Sequence, residues 1–100
     1  MNRIDPSLIE TCPRGQMLHI RLSLRDGLHT RPAARVAQTA QQYQSNIVLM
    51  SETSEADAKS LLDVLSLAPQ PSEKMTILAK GPDANEALLA LAHLLEHLED

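Results

Sequence analysis

The residues with the most chemical promise lie together in Gly27-Leu28-His29-Thr30-Arg31-Pro32-Ala33-Ala34. An alternating run ends just before them and a helical stripe begins within them, which places His29 at the entrance of a helix. Pro32 is tolerated there, because the N–H groups of a first turn have no intrahelical acceptor. Those free N–H groups and the positive end of the helix form a seat for an anion. Arg31 adds a guanidinium fork shaped for phosphate oxygens. The same positive field disfavours imidazolium, so His29 is expected to stay neutral and nucleophilic near pH 7. Attack of the ring on phosphorus fits this setting, with the dianionic phosphoryl group received by a cationic surround. That chemistry needs no metal and no further side chain. The residues do not select which ring nitrogen reacts. A plainer reading of the same spacing is a polar histidine capping a helix, with Arg31 in solvent.

Other candidates carry less. Ser60 stands in front of a short apolar segment, a natural N-cap position. His93 and His97 are four apart on a helical pattern, so they share a face. With no third ligand in view they read as solvated, and no metal site is expected. His19 falls on the polar side of a strand and is expected to be exposed. Cys12, the single cysteine, excludes an intrachain disulfide and reads as an inert free thiol.

Around these residues the chain must supply positioning elements. Residues 1–16 hold Pro6, Pro13 and Gly15 without a sustained period, and read as a flexible leader with a short docking point at Leu8–Ile9. Regular structure is expected from Met17, giving one domain over 17–100. Leu18 to Leu24 alternate as a half-buried strand, ended by Asp26-Gly27. Ala33, Val36, Ala37 and Ala40 make one helical stripe. Asn46–Met50 is a second strand, and Ala56 and Ala58 lie in a short third one. Leu61 to Leu67 form a short helix stopped by Pro69 and Pro71. Met75, Ile77 and Ala79 mark a fourth strand. Asp83 and Glu86 have capping-box spacing before a last helix traced by Ala84, Leu88, Leu91 and Leu95. The order β-α-β-β-α-β-α with alternating strands predicts an α+β fold, a four-stranded antiparallel sheet covered on one face by three helices.

Composition narrows the function. Nine Lys and Arg against thirteen Asp and Glu leave a net charge of −4, unsuited to phosphate-backbone binding. Tyr43 is the sole aromatic residue, so no stacking platform for single strands exists. No apolar run approaches the roughly 20 residues that span a bilayer. The N-terminus lacks an apolar h-region, and a cytoplasmic location is expected.

The eight-residue stretch from Gly27 to Ala34 resembles the active-site signature of the histidine-containing phosphocarrier (HPr) family of the bacterial phosphotransferase system. Ala58-Lys59-Ser60-Leu61-Leu62-Asp63-Val64-Leu65-Ser66-Leu67 is similar to that family's regulatory-serine region, with Ser60 at the family's spacing from His29. Gly81-Pro82-Asp83-Ala84-Asn85-Glu86-Ala87-Leu88 resembles the start of its final helix. The likeness runs from about Met17 to the C-terminus.

It implies an open-faced β-sandwich and a carrier rather than a free-standing enzyme, without a cofactor. It also implies that His29 receives a phosphoryl group on Nδ1 from enzyme I and passes it to IIA domains. Arg31 would hold the phosphoryl group, assisted by the backbone N–H groups of Thr30 and Arg31. Leu61, Leu62 and Leu65, fringed by Thr30, Arg31, Arg35 and Lys59, would form the docking patch on a monomer. The alternative within the family is a regulatory docking module, controlled by a kinase acting on Ser60 or serving a nitrogen-type branch. Three departures stand out, the first being a leader before Met17 that is longer than usual. Asp63 lies where a small or basic residue is usual, and Ala68-Pro69-Gln70-Pro71-Ser72 replaces a glycine-bearing turn.

Overall fold

The computed structural model describes residues 5–21, 30–67 and 74–97. A short 3-10 turn, Pro6–Leu8, leads into β1 (Glu10–Cys12) and β2 (Gly15–Arg21). Then come α1 (Thr30–Ala40), β3 (Asn46–Met50), β4 (Glu55–Asp57), α2 (Leu61–Leu67), β5 (Lys74–Lys80) and α3 (Ala84–Glu96). The strands lie in the order β1-β2-β5-β3-β4, every neighbouring pair antiparallel. With three helices on one face this is the expected α+β open-faced sandwich. The expected Leu22–Leu24 portion of the first strand, the Asp26-Gly27 turn and the Ala68–Ser72 loop lie outside the described residues.

Period-two alternation sends Leu18 and Ile20 of β2, Ile47 and Leu49 of β3, and Met75 and Ile77 of β5 into one core. Ala33, Val36 and Ala40 of α1 meet that core, as do Leu88, Leu91 and Leu95 of α3. Each fully buried Leu contributes about 1.5–3 kcal/mol relative to exposure. Small residues along α1 let it lie close to its neighbours α2 and α3. Pro32 is fully buried as well, so the first turn of α1 is anchored by packing and does not dangle from the core.

Four strands are expected from the alternation, and five are found among the described residues. The additional strand, β1, falls within the stretch expected to be an irregular leader, and β2 begins at Gly15 instead of Met17. Glu10 pairs with Met17, Thr11 with Gln16 and Cys12 with Gly15. Gly15 makes this hairpin possible. Its φ is 131°, and a Cβ there would lie 2.5 Å from the Ala79 carbonyl oxygen. The proline and glycine taken as marks of irregularity are the punctuation of a tight turn.

A second difference concerns the start of α3. Asp83 occupies the N-cap position, but its side chain makes no cap hydrogen bond, so the expected capping box does not form. Its carboxylate instead accepts from the backbone N–H of Gln44 at 2.9 Å, from that of Ser45 at 2.9 Å and from the Ser45 hydroxyl at 2.6 Å. Ser45 is fully buried, and the bond satisfies it. Gly81, with φ 152°, allows the close approach, since a Cβ there would stand 2.6 Å from Ser45 Oγ.

Candidate functional site

Thr30 and Arg31 open α1, so their backbone N–H groups belong to the unpaired first turn. No acidic residue shares that turn to neutralise its positive end. Pro32 brings no N–H of its own, which leaves the pair at Thr30 and Arg31 as the donors nearest the helix entrance. His29, which immediately precedes them, lies outside the described residues. Arg35, one turn further along, is exposed.

The second motif is organised by hydrogen bonds at the other end of α1. Lys59 Nζ donates to the Tyr43 carbonyl at 2.7 Å, and Gln41 Nε2 donates to the Lys59 carbonyl at 2.8 Å. These two bonds clamp the entry of α2 to the exit of α1. Ser60 therefore stands beside the C-terminal end of α1, while His29 adjoins its N-terminal end. An eleven-residue helix separates its ends by about 15 Å at a rise of about 1.5 Å per residue.

Ser60 fills the N-cap position read from the sequence. Its Oγ accepts from the Asp63 backbone N–H at 3.3 Å, and its carbonyl accepts from that of Val64 at 3.0 Å. The Asp63 carboxylate accepts from the Asp57 N–H at 3.2 Å, tying α2 back to β4. The sequence motif does not announce this use of Asp63. On α2, Val64 and Leu67 face the core, while Leu65 is half-buried against it. Leu61 is 36% exposed and Leu62 is 77% exposed. A seven-residue helix with one face on the sheet has no way to hide both.

The remaining candidates are not gathered here. His93 on α3 and His97, the residue capping its C-terminus, are exposed with ring centroids 4.4 Å apart, and His97 Nδ1 donates to the His93 carbonyl at 2.8 Å. Among the described residues no group of three or more His, Cys, Asp or Glu side chains could hold a metal ion. His19 lies on the open face of the sheet, where Nδ1 meets Thr76 Oγ1 at 2.7 Å and Nε2 stands 3.4 Å from Glu10. Cys12 is a half-buried free thiol within β1. Among the described residues no helix is long and apolar enough to cross a membrane.

Comparison with known proteins agrees with this framework. A family model described as "PTS HPr component phosphorylation site" matches residues 18–97. The phosphocarrier protein HPr of Vibrio cholerae is 35% identical over 79 residues, covering 79% of this chain and 93% of that protein. The crystal structure of HPr from Bacillus anthracis superposes with a TM-score of 0.74 at 35% identity, covering 79% of this chain and 94% of that one. The crystal structure of Crh from Bacillus subtilis, a swapped dimer, gives 0.66 at 34% identity, with 80% and 94% covered. The family model spans the chain from the second strand to the last helix, and relatives at 35% identity share its sandwich, and so this chain belongs to the HPr family of phosphocarrier proteins of the phosphotransferase system.

Proposed function

We propose that this protein carries a phosphoryl group on His29, received from enzyme I and delivered to IIA domains. The observation that carries the reading is the entrance of α1. Two first-turn backbone N–H groups that have no intrahelical acceptor, no acidic residue in the turn and a buried Pro32 anchor lie immediately after the histidine of the family motif. In the forward step the imidazole lone pair attacks phosphorus, the N–P bond forms and the N–P bond to the donor histidine breaks. Delivery is the same exchange run toward the acceptor, so no cofactor is consumed. Nδ1 is the nitrogen the family resemblance assigns. Arg31 and the N–H groups of Thr30 and Arg31 balance the charge of the group while it resides on the ring.

The exposed Leu61 and Leu62, with Leu65 beside them, are the apolar part of the proposed docking surface, and Arg35 is a charged part of its rim. Lys59 contributes differently from expectation, since its ammonium is engaged by the Tyr43 carbonyl and holds α2 in place. The protein is read as a cytoplasmic monomer, in contrast to the swapped dimer of Crh.

The test is intact-mass measurement after incubation with phosphoenolpyruvate and a competent enzyme I. The wild type gains one acid-labile, base-stable phosphoryl group and His29→Ala gains none. Labelling that persists in His29→Ala removes the assignment. Arg31→Ala should slow transfer or shorten the life of the phosphorylated form while leaving the circular dichroism spectrum unchanged, and unaltered kinetics would exclude Arg31 from the site.

The second reading, a docking module regulated at Ser60, has the N-cap geometry in its favour, because a phosphate of charge about −2 is electrostatically tolerated at a helix N-terminus. Its distance from the start of α1 means such a group would act on docking and not on His29 directly. Loss of partner binding on Ser60 phosphorylation, with His29 chemistry intact in isolation, is the result that favours it.

A further inference from the structure

The family model matches from residue 18, so β1, its turn and the first residues of β2 precede the matched stretch. Without β1, the seven-residue β2 would be the bare edge of the sheet. A long edge strand with one apolar face presents unpaired N–H and C=O groups to any other chain that can extend the sheet. β1 pairs with Gly15, Gln16 and Met17, covering the half of that edge nearest the turn, while Ile9 just before it packs against the core. β1 is itself a poor template for further pairing. It has three residues, an exposed glutamate at one end and Pro13, which has no N–H, after the other.

The hairpin is also fastened from a distance. Arg14, in its turn, places both guanidinium NH2 groups on the Glu55 carboxylate, at 3.0 Å each. Glu55 lies on β4, the opposite edge of the sheet, so the side chains reach across the open face. Below them Arg14, Asn46, Val48, Leu78 and Lys80 line a shallow cavity. Leu78, in the central strand, is only 5% exposed although it stands outside the helix-covered core. A second contact, Glu10 to His19 at 3.4 Å, joins β1 to β2 on that side. The Arg14 and Glu55 side chains remain 53% and 47% exposed, so the tie is a releasable one.

We propose that the β1–β2 hairpin is a strap, latched by Arg14 on Glu55, that shields the edge of β2 from pairing with a second copy of this chain. The shield rests on the monomeric reading given above, whereas the latch does not. Cys12 is a built-in reporter, because its half-buried thiol lies in β1 and becomes accessible when the strap lifts.

The experiment compares wild type with Arg14→Glu, Glu55→Arg and the charge-swapped double variant. Under reducing conditions molar mass is measured by light scattering across a concentration series, and separately the rate of Cys12 labelling by a small disulfide reagent is followed. Wild type should be monomeric and slowly labelled. Each single reversal should speed labelling about two- to fivefold and bring in a dimer as concentration rises. The double variant should restore both properties, which also shows that the substitutions do not simply unfold the chain. Equal labelling rates in all four proteins overturn the latch. Fast labelling in single variants that stay monomeric overturns the shield. A dimeric wild type overturns the monomeric reading and the shield together, and the labelling rates still decide the latch.

Discussion

Ser60 shows how one hydroxyl can answer to two descriptions. As an N-cap it satisfies the Asp63 N–H, and a cap of this kind is worth about 0.5–2 kcal/mol. Ser60→Ala should therefore lower the free energy of unfolding by roughly that amount in a denaturant titration. His29 should remain fully competent to accept a phosphoryl group in that variant. A Ser60→Ala protein with undiminished stability would mean that the 3.3 Å contact contributes nothing and that the residue must be explained by modification alone. Lys59 illustrates the same economy. A lysine beside a docking patch reads as a surface charge, yet here its ammonium closes the last carbonyl of a turn 16 positions away. Only the folded chain brings those two groups together.

At the scale of elements, the junctions rather than the helices and strands are held by polar contacts. The Asp83 carboxylate fastens the connection between α1 and β3 to the start of α3. The Ser45 hydroxyl, followed by the Gln44 N–H, holds its pKa below the usual aspartate value. A carboxyl with a depressed folded-state pKa contributes stability above its unfolded pKa and loses it as pH falls through the folded value. The contribution of Asp83 should thus be complete at neutral pH and fade below about pH 4. Asp83→Asn should be less stable at neutral pH, and its stability should fall less steeply on acidification, as followed by thermal melts from pH 7 to pH 2. Parallel acid limbs in the two proteins would show that this carboxylate is not a source of the pH dependence. Glu55 is lowered in the same direction by Arg14 and adds to the same limb, so the comparison should be repeated with Glu55→Gln.

For the whole molecule, one apolar core couples the helix entrance at Thr30 to the far end of the sheet. Leu91 is fully buried between helix and sheet within it, and its truncation leaves a void that close packing fills only in part. Leu91→Ala should cost about 2–5 kcal/mol of global stability, measured by chemical denaturation. At temperatures where the variant is still folded, phosphoryl acceptance should be retained, because α1 keeps its own anchor in Pro32. Selective loss of acceptance in a folded Leu91→Ala protein would mean that α3 sets the geometry of the helix entrance.

The residues themselves were sufficient to determine the pattern of the sandwich and to point to His29. The alternation in Leu18–Ile20, the placement of Met75, Ile77 and Ala79 on one face of their strand, and the stripes through Val36 and Leu91 are local properties of a chain that must bury one face of each element. The motif around His29 is contiguous for a similar reason, since a helix entrance is built from neighbours in sequence. The tertiary structure alone decided what joins distant segments: Arg14 to Glu55, Lys59 to Tyr43, and Asp83 to Ser45. It also turned the Pro13–Gly15 stretch into a hairpin and left Leu62 uncovered. A polar side chain's partner depends on which backbone groups folding leaves unsatisfied nearby, and periodicity along the chain carries no record of that.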